Sequence, residues 1–213
     1  RCAAIFEGGP DWSAPTRCAG WSVRDLLSHV DAIEVYHSAC LDDALADFFA
    51  KGTAAGATDM NSFNDLGVRE RADLPVDDVL ASWRAANGDV RRRMRERGAD
   101  GTMASSVGPY PVDLMAFHIA SEYATHADDM GAELSDAERA KQLAWREKVS
   151  LFALKEMEKP VAIERLTNGS YGVTSGTAKA VLRPDEFVEA VCARLPKDFS
   201  IDPALRAALV ALA

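Results

Sequence analysis

The 213-residue chain contains no apolar run approaching the ~20 residues that a membrane-crossing helix needs. It shows no signal-peptide pattern either, and both absences lead to the expectation of a cytoplasmic protein. Cysteine is scarce: Cys2, Cys18, Cys40 and Cys192 form no CxxC pair and no dense framework, which implies reduced thiols. Cys18 lies in a loop where a nucleophilic role beside a histidine is conceivable, but nothing near it signals one and a plain thiol is the better reading. Basic charge is in deficit, with 24 Lys and Arg against 33 Asp and Glu and a net charge of -9. A nucleic-acid binder needs a basic face, and the one basic run, "RRRMRER" (91–97), is short and suits the C-terminal end of a helix. Also missing are a G-x-S-x-G elbow, a P-loop and a G-x-G-x-x-G turn. There is no internal repeat and no low-complexity tract.

What is present is ordinary for a soluble globular protein, 48% hydrophobic and 27% charged, and long enough for a main domain with a small appendage. The opening "RCAAIF" has the texture of a helix tail, so sequence is expected to precede Arg1. "GGPDWSAPTRCAGW" (8–21) is loop punctuation. Residues 22–50 then carry a long amphipathic helix, with Ser22 as N-cap, Asp25 three residues on, and Val23, Leu26, Leu27, Val30 and Ile33 at helical spacing. Residues 51–75 keep no sustained period and are expected to be a long loop. A second helix spans 75–98, with Pro first, acids early, bases late and Gly at the stop. After a loop, Pro111 opens a helix that ends at Gly131, and Ser135 with Glu138 forms a capping box for another over 135–159. Beyond Pro160, β-type runs alternate with Asn-Gly and Ser-Gly turn signals before two short helices. The expected architecture is mainly α: a helical domain over 1–150 and a small α+β domain over 160–213.

The chemistry concentrates in "MAFHIASEYATHADDM" (115–130), where His118, Glu122 and His126 recur every four residues on one helical stripe. Such a stripe is a metal site, an acid/base site or simply a polar face. One helix cannot wrap an ion with all three, because the outer pair lies two turns apart, ~12 Å. A metal would need a ligand from another element, and His29 in "LLSHVDA", on or beside the first helix's apolar stripe, is the best candidate. Two histidines and a carboxylate with open positions is a typical catalytic arrangement for zinc or a similar divalent ion. Asp128 or Asp129 can hold the outer nitrogen of a ligand histidine, Asp128 being the position taken here. Taken singly, His118 and His37 are better read as satisfied core histidines.

"DWSAPTRCAGWSVRDLLSHV" (11–30) resembles the signature of the DinB-like, mycothiol-dependent maleylpyruvate isomerase family of actinobacteria. "NSFNDLGV" (61–68) and "SEYATHADDMGAELSD" (121–136) are similar to later blocks of that family, and residues 161–213 more weakly resemble its sterol-carrier-like C-terminal domain. The resemblance implies a DinB-like four-helix bundle whose metal ligands fall on His29, Glu122 and His126. It also implies a divalent ion, zinc first, with the low-molecular-weight thiol mycothiol as cosubstrate and a small electrophile as partner. The reaction implied is isomerisation, where the thiol adds to a double bond and leaves, or S-transfer, where it stays. His118, Tyr123 and Asn64 are candidate acid/base groups, and Arg183 and Arg194 candidate substrate contacts. Two other readings use the same ligands: a metal-binding module without turnover, stress-linked in role, and a hydrolase with water as nucleophile.

Overall fold

The computed structural model describes residues 1–212. They divide into two compact units, Arg1–Ala132 and Glu133–Ala213, and each is mainly helical or α+β as the patterning requires. No helix among the described residues is long and apolar enough to cross a membrane.

The first unit opens with α1 (Cys2–Glu7) and α2 (Val23–Leu41). α2 begins where the capping box places it: Ser22 Oγ receives the Asp25 N–H, and the Asp25 carboxylate receives the Ser22 N–H at 2.9 Å. Val23, Leu26, Leu27 and Val30 are all buried, so the predicted stripe is the inner face. The helix stops at Leu41 instead of running to residue 50. Asp43 takes the left-handed conformation (φ 56) and Ala44 N–H closes onto Ala39 O at 2.9 Å, a Schellman-type stop made without glycine.

The expected loop over 51–75 holds the end of one helix and the whole of another. α3 (Leu45–Ala54) is followed by α4 (Met60–Arg69), which starts from a capping box between Asp59 and Ser62. α4 is held by tertiary contacts that periodicity does not report. A Cβ at Gly67 would stand 2.5 Å from the Ala32 Cβ, so the glycine permits close approach to α2. Just past the helix, Arg71 Nε donates to the buried Asp31 carboxylate at 2.6 Å.

α5 (Val76–Arg97) buries Val79, Leu80, Trp83, Val90 and Met94 and packs along α2. The stretch after it is a hairpin, not an irregular loop: β1 (Thr102–Ser105) pairs antiparallel with β2 (Gly108–Pro111). Each strand is only four residues long, too short to show alternation, but Met103 and Tyr110 turn inward. α6 (Val112–Asp129) follows directly from Pro111 and ends before Gly131 (φ 73).

Two apolar clusters make this unit's core. One joins Cys40, Val90, Met94, Met103, Met115 and Ile119; the other joins Phe6, Leu27, Val30, Val79, Trp83 and Ala127. Between them on α2, from Asp31 to Ser38, every buried side chain is polar: Asp31, Glu34 and His37. His29, of the candidate site, stands on α2 just before that polar layer.

The second unit contains α7 (Asp136–Glu156), β3 (Ala162–Arg165), β4 (Tyr171–Ser175), β5 (Ala178–Leu182), α8 (Pro184–Val191) and α9 (Pro203–Leu209). The sheet is antiparallel in the order β3-β4-β5, with turns at Gly169 and Gly176 where the Asn-Gly and Ser-Gly signals fall. α7 packs on α8, and its Leu154 joins Tyr171, Leu182, Phe187 and Leu205 in one core. For that reason the units divide after Ala132, not near residue 150.

Candidate metal centre

α2 and α6 bring His29, Glu122 and His126 together across 93 residues of sequence. One ligand-type atom from each lies within 4.8 Å of the other two. Both imidazoles address the same carboxylate oxygen, His29 Nε2 at 2.9 Å from Glu122 Oε1 and His126 Nε2 at 3.0 Å. The two rings lie 4.8 Å apart, nearly perpendicular. Their side chains are 3% and 5% exposed, whereas Glu122 keeps 34%, so the carboxylate is the member that meets solvent.

The electrostatics demand positive charge at this point. Burial pushes the Glu122 carboxyl upward, but the His126 and His29 imidazoles outweigh it and hold it well below the usual carboxylate range. Burial pulls His126 down, and Glu122 and Asp129 outweigh that, raising it to about 9. A cation held by these three residues would answer the same demand as the proton. Two neutral imidazoles and one carboxylate is also a donor set suited to a divalent ion, so the residues present fit a metal.

The outer nitrogen of His126 is held by Asp129, not by Asp128. Nδ1 lies 3.0 Å from Asp129 Oδ2, and both groups are buried. Helix geometry decides this, since residues i and i+3 face each other and i and i+2 do not. Asp128 instead pairs with Arg1.

Tyr123 is committed elsewhere. Its hydroxyl donates to Glu34 Oε1 at 2.5 Å and accepts from Trp83 Nε1 at 2.7 Å and Asn87 Nδ2 at 2.9 Å. Burial and the Glu34 carboxylate push that hydroxyl far above the usual tyrosine range. Glu34 in turn sits 3.3 Å from His37 Nδ1, and Arg91 lies over the Tyr123 ring. None of Glu34, Asn87 and Trp83 was singled out by motif. The only signal was Glu34, an acid on the inner stripe of α2 one turn beyond Val30. His118 Nε2 pairs with Tyr110 Oη at 3.0 Å, outside the trio, and Asn64 lies on α4. In the second unit, Arg183 pairs with Asp185 and Glu186, and Arg194 Nη1 donates to Cys192 O at 3.1 Å. All four cysteines are free thiols.

Residues 2–131 match the family model described as the mycothiol maleylpyruvate isomerase N-terminal domain. The chain belongs to that family. The matched stretch coincides with the first compact unit and contains His29, Glu122 and His126. No curated protein and no solved structure gives a significant match. For this mycothiol maleylpyruvate isomerase N-terminal domain, the match spans the whole trio, and the grouping of His29, Glu122 and His126 rests on the geometry.

Proposed function

We propose that the protein is a metal-dependent enzyme that uses mycothiol to isomerise, or transfer sulfur to, a small electrophile. His29, Glu122 and His126 are the ligands in this reading, and zinc is the first choice of ion. The observation that carries it is the convergence of the Nε2 atoms of two buried histidines on one oxygen of a partly exposed carboxylate.

When bound, a divalent ion supplies Lewis acidity that favours a deprotonated thiol at neutral pH. The chain's own residues do the rest. His29 is fixed by burial between neighbouring rings. The Asp129 carboxylate accepts from His126 Nδ1–H, which selects the tautomer whose Nε2 lone pair faces the site. The Glu122 carboxylate, open to solvent on one side, leaves access for a small thiol. A cytoplasmic location agrees with mycothiol as a partner.

The test is elemental analysis of the purified protein followed by thiol-consumption assays with mycothiol and a panel of electrophiles. About one equivalent of divalent ion per chain, and mycothiol-dependent product that disappears in His126→Ala, is expected. Metal uptake without thiol loss on any electrophile would leave a binding module. Product formation that needs no thiol would make the protein a hydrolase. Equal metal content in wild type and His126→Ala would sink the ligand assignment.

A further inference from the structure

One loop supports both histidines of the trio, and it lies well before α6 in the chain. Residues 15–22 close on themselves through a Pro15–Ser22 bridge, and Thr16 Oγ1 and N both bond Trp21 O, at 2.8 and 3.2 Å. Trp21 N–H returns to Cys18 O at 3.1 Å. One end of the loop is Ser22, the N-cap of α2. The other side is pinned to the end of α6, where Arg17 N–H donates to Asp129 O at 3.0 Å.

The two supports differ in kind. The Trp21 ring lies 4.8 Å from the His29 ring at 49°, so the His29 imidazole is held between Trp21 and His126. His126 is reached indirectly: the loop holds the main chain of Asp129, and the Asp129 carboxylate holds Nδ1. Trp21 itself is half-buried and cannot ligate an ion. Groups that fix the orientation of a ligand imidazole and keep water from it govern metal affinity as strongly as many ligand changes.

We infer that the 15–22 loop is a clamp on the metal site and that Trp21 is a positioning residue, setting the affinity and lifetime of the bound ion through His29. This rests on the metal reading of the trio. Loss of the indole removes one of the two rings that flank His29 and leaves the imidazole wetter; loosening the turn while keeping the indole has the same effect in weaker form.

The experiment uses the full chain stripped with a chelator, then titrated with Co2+ while its visible absorption is recorded, with Zn2+ competition and release rates. Wild type is measured beside Trp21→Ala, Trp21→Phe and Thr16→Val, each checked for folding by far-UV circular dichroism. Trp21→Ala should bind about ten- to a hundredfold more weakly, release faster and show a shifted cobalt band. Trp21→Phe should recover most of the loss, and Thr16→Val should fall between. Wild-type affinity, release rate and spectrum in both Trp21→Ala and Thr16→Val would overturn the clamp while leaving the metal reading intact. If Trp21→Ala does not fold, Thr16→Val decides by the same criterion. Failure of wild type to take up cobalt would overturn the metal reading, and the clamp with it.

Discussion

Tyr123→Phe separates a structural hydroxyl from a chemical one. The substitution keeps the ring under Arg91 and removes one oxygen that makes three hydrogen bonds. Its bond to the Glu34 carboxylate, a group 1% exposed, is a buried bond to a charged acceptor, a type that contributes about 1.5–3 kcal/mol. Trp83 is 4% exposed and loses its acceptor, which costs about 1–3 kcal/mol on its own. The two losses share one network and do not simply add, so a destabilisation of about 3 kcal/mol is expected. For a unit of this size that corresponds to a fall in Tm of about 10 °C. Urea denaturation of the chelated protein, with metal stoichiometry measured in parallel, tests it. The expected result is a clear loss of stability with about one equivalent of ion still bound by the folded protein. Unchanged stability would refute the network reasoning, and unchanged stability with lost thiol turnover would assign the hydroxyl a chemical role.

Five further outcomes follow from the same structure. Glu122→Gln should bring bound metal toward zero, and Asp129→Asn should weaken it about ten- to a hundredfold while Asp128→Asn leaves it unchanged, as read by metal titration. Glu34 is pushed up by burial, but bonds from His37, Tyr123 and Asn87 outweigh that and hold it below its ordinary 4.5. A depressed carboxyl stabilises above its unfolded value and ceases to do so as pH falls through the folded one. The urea midpoint of the chelated protein should therefore drop below about pH 4.5, and less steeply in Glu34→Gln. Gly67→Ala should cost about 1–3 kcal/mol by forcing α4 off Ala32, seen as a lower urea midpoint. Gly88→Ala, in the middle of α5 with open space around its Cβ, should instead raise stability by about 0.5–1 kcal/mol.

The parts of the fold that could be read in advance are those whose causes are local. Ser22 with Asp25 and Ser135 with Glu138 cap their helices by contacts three residues apart, and the α5 stripe of Val79, Leu80, Trp83, Val90 and Met94 buries as a period-3.6 pattern must. α4 escaped because its stability comes from distant partners, the Gly67–Ala32 approach and the Asp31–Arg71 pair. The break at Asp43 escaped because an aspartate fills a position where glycine is the usual signal. The same division holds for the site. Glu122 and His126 are joined by helical spacing, and His29 could be proposed because a histidine on an inward stripe needs a partner. Asp129 over Asp128 is a matter of helical phase, i to i+3 and not i to i+2, which the choice of Asp128 overlooked. The Glu34–Tyr123–Asn87–Trp83 network was not legible, because α2, α5 and α6 meet there only once the chain has folded.

The polar layer that splits the first unit's core has a consequence for cooperativity. Apolar contact ties each half of the unit together, but α2 crosses from one half to the other through Asp31, Glu34 and His37. Coupling between the halves therefore passes through the Tyr123 ring, which packs against both clusters, and through the hydrogen bonds of its hydroxyl, and the latter respond to solution conditions in a way that apolar contact does not. A bound ion acts as a rivet between α2 and α6, stabilising the folded state in proportion to the logarithm of its concentration over Kd. Withdrawing it should loosen the part of the unit where His29 and His126 stand, so that amide hydrogen exchange quickens there more than around Met94 and Ile119.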